Sequence, residues 1–254
     1  MSISPIKTID DECAVPLGWD KTRLDMGIRD RIMWHPARAS PHLLVSGQSG
    51  AGKTKFLELF SSKCVQNLPN CQLYLADPKC IDFEFAKGSA RFWSGMDSGE
   101  ALRAFHSSMM ARVNGEGCSS NWKVLIFDEV AAFSLLQTDK KRRAEFQDMM
   151  ASTLLLGRGV RHVLVVGVQK SLMEFLTSSR SQYATIVLMG NISNDKEQVQ
   201  MLMSTHKDVI QSTHNGRGQF WVTSDGAGVR RGQVPWITDI TKVHSLIVEG
   251  LNRT

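Results

Sequence analysis

No apolar run in this 254-residue chain approaches the ~20 residues that a helix needs to cross a bilayer; stretches such as "HVLVVGV" stop far short. The N-terminal "MSISPIKTIDDECAVPLG" is polar and acidic, without the basic-then-apolar pattern of a secretory signal. Membrane insertion is therefore not expected, and any membrane role would need a recruiting partner. Cysteine is sparse: Cys13, Cys64, Cys71, Cys80 and Cys118 form no C-x-x-C pair, and an odd number at irregular spacing argues against a disulfide framework. Reduced, mostly buried thiols in a cytoplasmic setting are expected, and Cys71, Cys80 and His106 lack the spacing of a zinc site. Low-complexity blocks and internal repeats are missing too, which leaves no sign of a repeat architecture. Neither charge sign dominates. The 30 Lys+Arg against 25 Asp+Glu give a net charge of +5, which permits a nucleic-acid partner without demanding one. The densest basic clusters, Lys140 to Arg143 and Arg230–Arg231, have no aromatic residues interleaved, so stacking on single-stranded nucleic acid is unsupported. Each cluster reads either as phosphate-contacting or as a plain solvated face.

What is present is an alternation. After an irregular segment over residues 1–40, in which "VPLGWDKTRLD" suggests a short hairpin, apolar strand patterns recur at 42–46, 72–77, 123–129, 162–169 and 185–190. Their continuous Val/Leu/Ile runs suit parallel strands buried on both faces. Helical patterns fall between them at 53–66, 98–113 and 141–156, the second with Leu102, Phe105, Met109 and Val113 on one face. "GQFWVT" and "GVRRGQVPWI" read as an edge hairpin, and 238–251 as a closing helix. The expected fold is α/β, with helices on both faces of a mostly parallel sheet, in one domain over residues 41–254. The Met-rich "QMLMSTH" and "QDMMAS" stretches read as helix core or subunit contact.

Chemistry is concentrated at strand ends. Gly47-Gln48-Ser49-Gly50-Ala51-Gly52-Lys53-Thr54 matches G-x-x-x-x-G-K-[ST] between a strand and a helix. Glycines let successive backbone N–H groups face a phosphate, and the helix N-terminus adds partial positive charge. Lys53 is expected at the β- and γ-phosphates of ATP, and the Thr54 hydroxyl on Mg²⁺. Asp128, ending the strand "VLIFDE", is the second expected Mg²⁺ ligand. Its neighbour Glu129 can orient and deprotonate a water attacking the γ-phosphate, which points to a hydrolysing motor. Gln169, at the end of "VLVVGVQ", is placed to sense that phosphate.

These segments resemble, in order and spacing, the FtsK/SpoIIIE-type DNA translocases: "PHLLVSGQSGAGKT", then "YLADPK", then "VLIFDEVAAF", then "GRGVRHVLVVGVQK". The resemblance covers roughly residues 40–225. It implies a RecA-like motor that assembles as a homo-oligomeric ring, usually a hexamer, and moves double-stranded DNA using ATP. It implies an arginine reaching the neighbouring subunit's γ-phosphate, with Arg158 the first candidate and Arg161 and Arg180 behind it. Departures exist. The family's Thr-Gln-Arg after the fourth strand is Val168-Gln169-Lys170 here, and "CIDFEF" after Asp77-Pro78-Lys79 only loosely follows the family pattern. Neither the membrane-spanning region nor the winged-helix domain of chromosomal FtsK is visible. Short relatives of this kind suggest a coupling ATPase of a mobile element, with a relaxase or secretion channel as partner. The alternatives are a viral genome-packaging ATPase, with a capsid partner, and a nucleotide-binding adaptor with little turnover.

Overall fold

Along each central strand, neighbouring residues feed two separate cores. In a computed structural model describing residues 13–37, 41–116, 120–169, 182–193, 195–224 and 228–254, Leu43, Val45, Val124, Ile126, Val163 and Val165 point to one face of the sheet. Leu44, Leu125, Phe127, Leu164 and Val166 point to the other. Burial on both faces is why these strands read as unbroken apolar runs.

Ten strands form one sheet: β1 (Val15–Asp20), β2 (Arg31–Trp34), β3 (Leu43–Gly47), β4 (Gln72–Asp77), β5 (Phe92–Ser94), β6 (Lys123–Phe127), β7 (His162–Val168), β8 (Thr185–Met189), β9 (Gln219–Ser224) and β10 (Arg230–Gln233). Their spatial order is β2-β1-β10-β9-β8-β3-β7-β6-β4-β5. From β8 to β5 every pairing is parallel. From β8 outward through β9, β10, β1 and β2 every pairing is antiparallel. The first core takes Phe56, Leu57 and Phe60 of the helix Lys53–Asn67 and Val243, Ile247 and Leu251 of the helix Ile240–Asn252. The second takes Leu102, Phe105 and Met109 of the helix Ser98–Val113, together with Phe146, Met150 and Leu154 of the helix Lys140–Leu156. Met201 and Met203 are buried in the second core as well.

The five expected central strands are all present, and the sheet is α/β with helices on both faces. Three details differ from the sequence expectation. Residues 13–37 are not irregular: β1 and β2 pair as a hairpin and extend the sheet. The β9–β10 hairpin is consequently not at the edge, because β1 pairs along β10. Val113, expected on the apolar face of its helix, is 42% exposed at the C-terminal end. The side chains of Cys13, Cys64 and Cys71 are buried and that of Cys80 is exposed; Cys118 lies outside the described residues. No helix among the described residues is long and apolar enough to cross a membrane.

The "GRGVRH" stretch has a packing reason. A Cβ on Gly157 would lie 2.5 Å from the carbonyl oxygen of His162 and 3.1 Å from Cε1 of His42. The backbone N–H of Leu164 donates to Nδ1 of His42 at 3.1 Å, so the ring must be neutral at that nitrogen. Burial pushes His42 down to about 4 and His162 to about 3. The unfolded chain takes up protons at both imidazoles below their ordinary pKa of about 6.5, while the folded chain does not. Their contribution is complete above that pH and is lost as pH falls toward 4. We expect a His42→Gln variant, whose amide oxygen can accept from Leu164, to lose less melting temperature than wild type between pH 7 and 4.5.

Candidate nucleotide-binding and hydrolytic site

The C-terminal ends of the parallel strands carry the candidate residues, as expected of an open α/β sheet. β3 ends at Gly47, and the chain turns through Gln48 to Gly52 before Lys53 and Thr54 open the following helix. Gly50 (φ 80°) and Gly52 (φ 100°) adopt left-handed backbone that a Cβ would strain. Ala51 is clamped, its carbonyl accepting from the N–H of Gly218 at 2.9 Å. The loop thus presents a curled backbone ahead of a helix N-terminus, and the donor set fits a polyphosphate.

Lys53 is buried, and its ammonium makes a hydrogen-bonded ion pair with Oε1 of Glu129. It also lies 3.6 Å from Oδ1 of Asp128. A second cation shares the carboxylate: Nζ of Lys79 is 3.2 Å from Oε1 of Glu129. The other oxygen of Glu129 accepts from the backbone N–H of Gln169 at 3.2 Å. Two carboxylates and two ammonium groups therefore form one cluster, which the sheet assembles from the ends of β4, β6 and β7 and the start of the first long helix.

β6 ends at Phe127, two residues earlier than the sequence suggests, and Glu129 adopts φ 51°, ψ 41°. A non-glycine residue in this region costs on the order of 1–2 kcal/mol. The three contacts to its carboxylate hold it there.

Asp128 is almost fully buried. Burial lifts its pKa to about 6, against the pull of Lys53. Its Oδ1 accepts from the N–H of Glu129 at 3.0 Å. A Cβ on Gly167 would sit 2.3 Å from this same oxygen, so the neighbouring strand must carry glycine there. Thr54 donates to Oδ1 of Asp82 at 3.5 Å. A hydroxyl beside a carboxylate suits a hard divalent cation. Thr54 and Asp128 are the residues that would hold Mg²⁺, with Asp82 beside them.

Asp77 is structural: Oδ2 accepts from the N–H groups of Asp82 at 3.1 Å and Phe83 at 3.2 Å, and Oδ1 from that of Lys79 at 3.2 Å. It shapes the turn that delivers Lys79 and Asp82. Asp82 and Gly167 were not singled out by sequence reasoning, and Lys79 was seen only as part of Asp77-Pro78-Lys79 without a role. The signal available was that lysine's place at the end of a strand on the ligand edge.

The candidate arginines lie elsewhere. Arg158 is exposed in the turn before β7, whereas Gln169 follows that strand, so roughly 20 Å of strand separates them. Arg161 is tied down, donating to the carbonyl of Ser120 at 2.7 Å and lying 5.8 Å over the ring of Trp122. Arg180 and Lys170 are outside the described residues. Of the basic clusters, Arg230 pairs with Asp20 at 2.8 Å and Arg231 donates to Asn215 at 2.7 Å. Both tie internal elements together. Lys140 and Lys141 stand exposed at the start of their helix.

A sheet whose central strands run parallel, with this loop and these strand-end acids at their ends, has the RecA-like fold. The resemblance to the FtsK type holds: the chain is 28% identical over 195 residues to the FtsK domain-containing protein YdcQ of Bacillus subtilis (strain 168), matching 70% of this chain. The chain spans 40% of the length of that curated relative. Comparison with protein-family models finds no match. Among solved structures, the monomer form of the pCW3 conjugation coupling protein TcpA with ATPγS is similar at TM-score 0.71 and 17% identity, over 94% of this chain and 70% of that one. The cytoplasmic domain of the Thermomonospora curvata type VII secretion ATPase EccC is similar at TM-score 0.68 and 13% identity, over 98% of this chain and 32% of that one. B204, the DNA-packaging ATPase of Sulfolobus turreted icosahedral virus, gives TM-score 0.56 and 12% identity, over 78% and 99%.

Gly167→Ala forces the buried Asp128 carboxylate to move. We expect it to lower unfolding free energy by about 1–3 kcal/mol, as overpacking does, and to be read by urea denaturation. An unchanged denaturation midpoint would contradict the close approach.

Proposed function

We propose that this chain is an ATP-hydrolysing motor of the FtsK type that moves double-stranded DNA, acting in transfer of a mobile element. The observation that carries the hydrolytic part is the Glu129 carboxylate, held beside the phosphate cradle by Lys53, Lys79 and the N–H of Gln169. ATP is the substrate. Its β- and γ-phosphates lie on residues 47–54, where Lys53 exchanges Glu129 for phosphate oxygens. Lys79 remains on Glu129 through this exchange, so the carboxylate keeps a cationic partner that holds it in place. Glu129 then accepts the proton of the attacking water, and Gln169 lies next to it to report on the γ-phosphate. Thr54 and Asp128 would hold Mg²⁺, which when bound would neutralise phosphoryl charge.

The DNA part is supported by the relatives' names: one neighbour is a conjugation coupling protein and another a DNA-packaging ATPase. Exposed Lys140 and Lys141 provide candidate phosphate contacts. In this reading the chain works as a homo-oligomeric ring, and Arg158, exposed and away from its own site, serves the neighbouring subunit. The packaging reading shares this chemistry and differs in its partner, a capsid instead of a relaxase or transfer channel.

The test is steady-state ATP hydrolysis by wild type, Lys53→Ala and Glu129→Gln, with and without duplex DNA at two salt concentrations. Wild type should be stimulated by duplex DNA, with less stimulation at the higher salt. Glu129→Gln should bind ATP and fall in turnover by about 100-fold or more, a typical size for a general base. Turnover that ignores both DNA and the Glu129 change would leave a nucleotide-binding adaptor.

A further inference from the structure

At the edge of the sheet opposite the phosphate loop, where β4 and β6 begin, Gln72 and Lys123 stand side by side as register partners. Both line a pocket of about 420 Å³, together with Ser108 and Arg112 of the helix Ser98–Val113, Glu116 and Asn121. The polar groups of this wall are mostly donors without an acceptor. The half-buried Lys123 ammonium makes no hydrogen bond or ion pair among the described residues. Burial, with Arg112 and Arg91 nearby, pulls its pKa down to about 8, which leaves it charged at neutral pH. Gln72 is only 9% exposed, yet its side-chain amide bonds to no other described residue. Such groups cost free energy unless a ligand or water meets them. Asn121 has its side-chain oxygen engaged by the Ser120 hydroxyl at 3.2 Å, which leaves the amide nitrogen to donate. Arg112 is fixed by donating to the carbonyls of Asn121 at 2.7 Å and Val160 at 2.9 Å. Val160 closes the turn that carries Arg158, so one guanidinium anchors both the pocket wall and that turn. Glu116, an exposed acid on the wall, pairs with neither cation among the described residues.

We propose that this pocket is an oxyanion site that takes a phosphate group, with Lys123 and Arg112 balancing its charge and the Gln72 and Asn121 amides donating to its oxygens. A phosphate monoester carries about −1.5 to −2 charges at pH 7, which matches two cations. A carboxylate would leave one of them uncompensated. The donors come from two strands, a helix and a loop, so a group with oxygens on every side uses more of them than a flat one can. The site is separate from residues 47–54, which follow the C-terminal end of β3, whereas Gln72 and Lys123 open their strands.

The experiment follows acetylation of Lys123 by acetic anhydride in the full chain at pH 8, read by peptide mass spectrometry. Chloride, acetate, inorganic phosphate and ribose 5-phosphate are compared at equal ionic strength. We expect phosphate at about four times its dissociation constant to slow Lys123 acetylation about fivefold, the factor 1 + [L]/Kd, with acetate no better than chloride. Protection by ribose 5-phosphate as well assigns the site to organic phosphates, and protection by inorganic phosphate alone assigns it to the free ion. Gln72→Leu should lose most of the protection. Lys53→Ala should keep it, because the reacting amine reports on its own pocket and not on the cradle. No protection beyond chloride overturns the site, and equal protection by acetate overturns its preference for phosphate. Protection that disappears in Lys53→Ala traces the effect to the cradle and overturns the proposal. Full protection in Gln72→Leu overturns the role of that amide.

Discussion

One buried ion pair, Lys53 with Glu129, organises the edge of the sheet where the candidate site lies. Burying two charges costs several kcal/mol of desolvation each, and such pairs seldom repay that cost in stability. This pair is also attached to a backbone in left-handed conformation at Glu129. A fold selected for stability alone has cheaper ways to end a strand. The cost makes sense if the carboxylate must be held in position beside the phosphate loop, with Lys79 and the N–H of Gln169 keeping it there when Lys53 turns to a ligand.

The sheet explains how so precise a cluster is held. Strands β4, β6 and β7 lie side by side in parallel, so their C-terminal ends bring Lys79, Asp128 and Gln169 to one edge from distant parts of the sequence. Gly167 makes room for Asp128, and Asp77 shapes the turn that carries Lys79. On the other flank, the antiparallel β9–β10 hairpin joins the cradle through Ala51, Gly218 and Val234. The N-terminal strands β1 and β2 cover that hairpin, and the Arg230–Asp20 ion pair fastens them. The sheet extension therefore steadies the phosphate loop from behind.

Much of this was legible in the sequence where periodicity or a motif carried it. The five apolar runs became β3, β4, β6, β7 and β8, because strands buried on both faces cannot afford polar interruptions. The loop 47–54 was legible because its glycines answer a local backbone demand. What sequence reading did not resolve depends on long-range contact. Phe92–Ser94 is too short and too half-buried to leave a pattern, and β1 and β2 are recognised as sheet members only once β10 is beside them. Lys79 and Glu129 are partners across three-dimensional space, and nothing in the spacing of their residues announces it. Arg230 and Arg231 looked like a basic patch because their acceptors, Asp20 and Asn215, lie elsewhere in the chain.

The most direct measurement is a double-mutant cycle between Lys79 and Glu129, reading single-turnover ATP cleavage in Lys79→Gln, Glu129→Gln and the double variant. If Lys79 acts by holding the Glu129 carboxylate in place, its replacement slows cleavage in the wild-type background and changes little once Glu129 is Gln. Independent, additive losses would contradict the account.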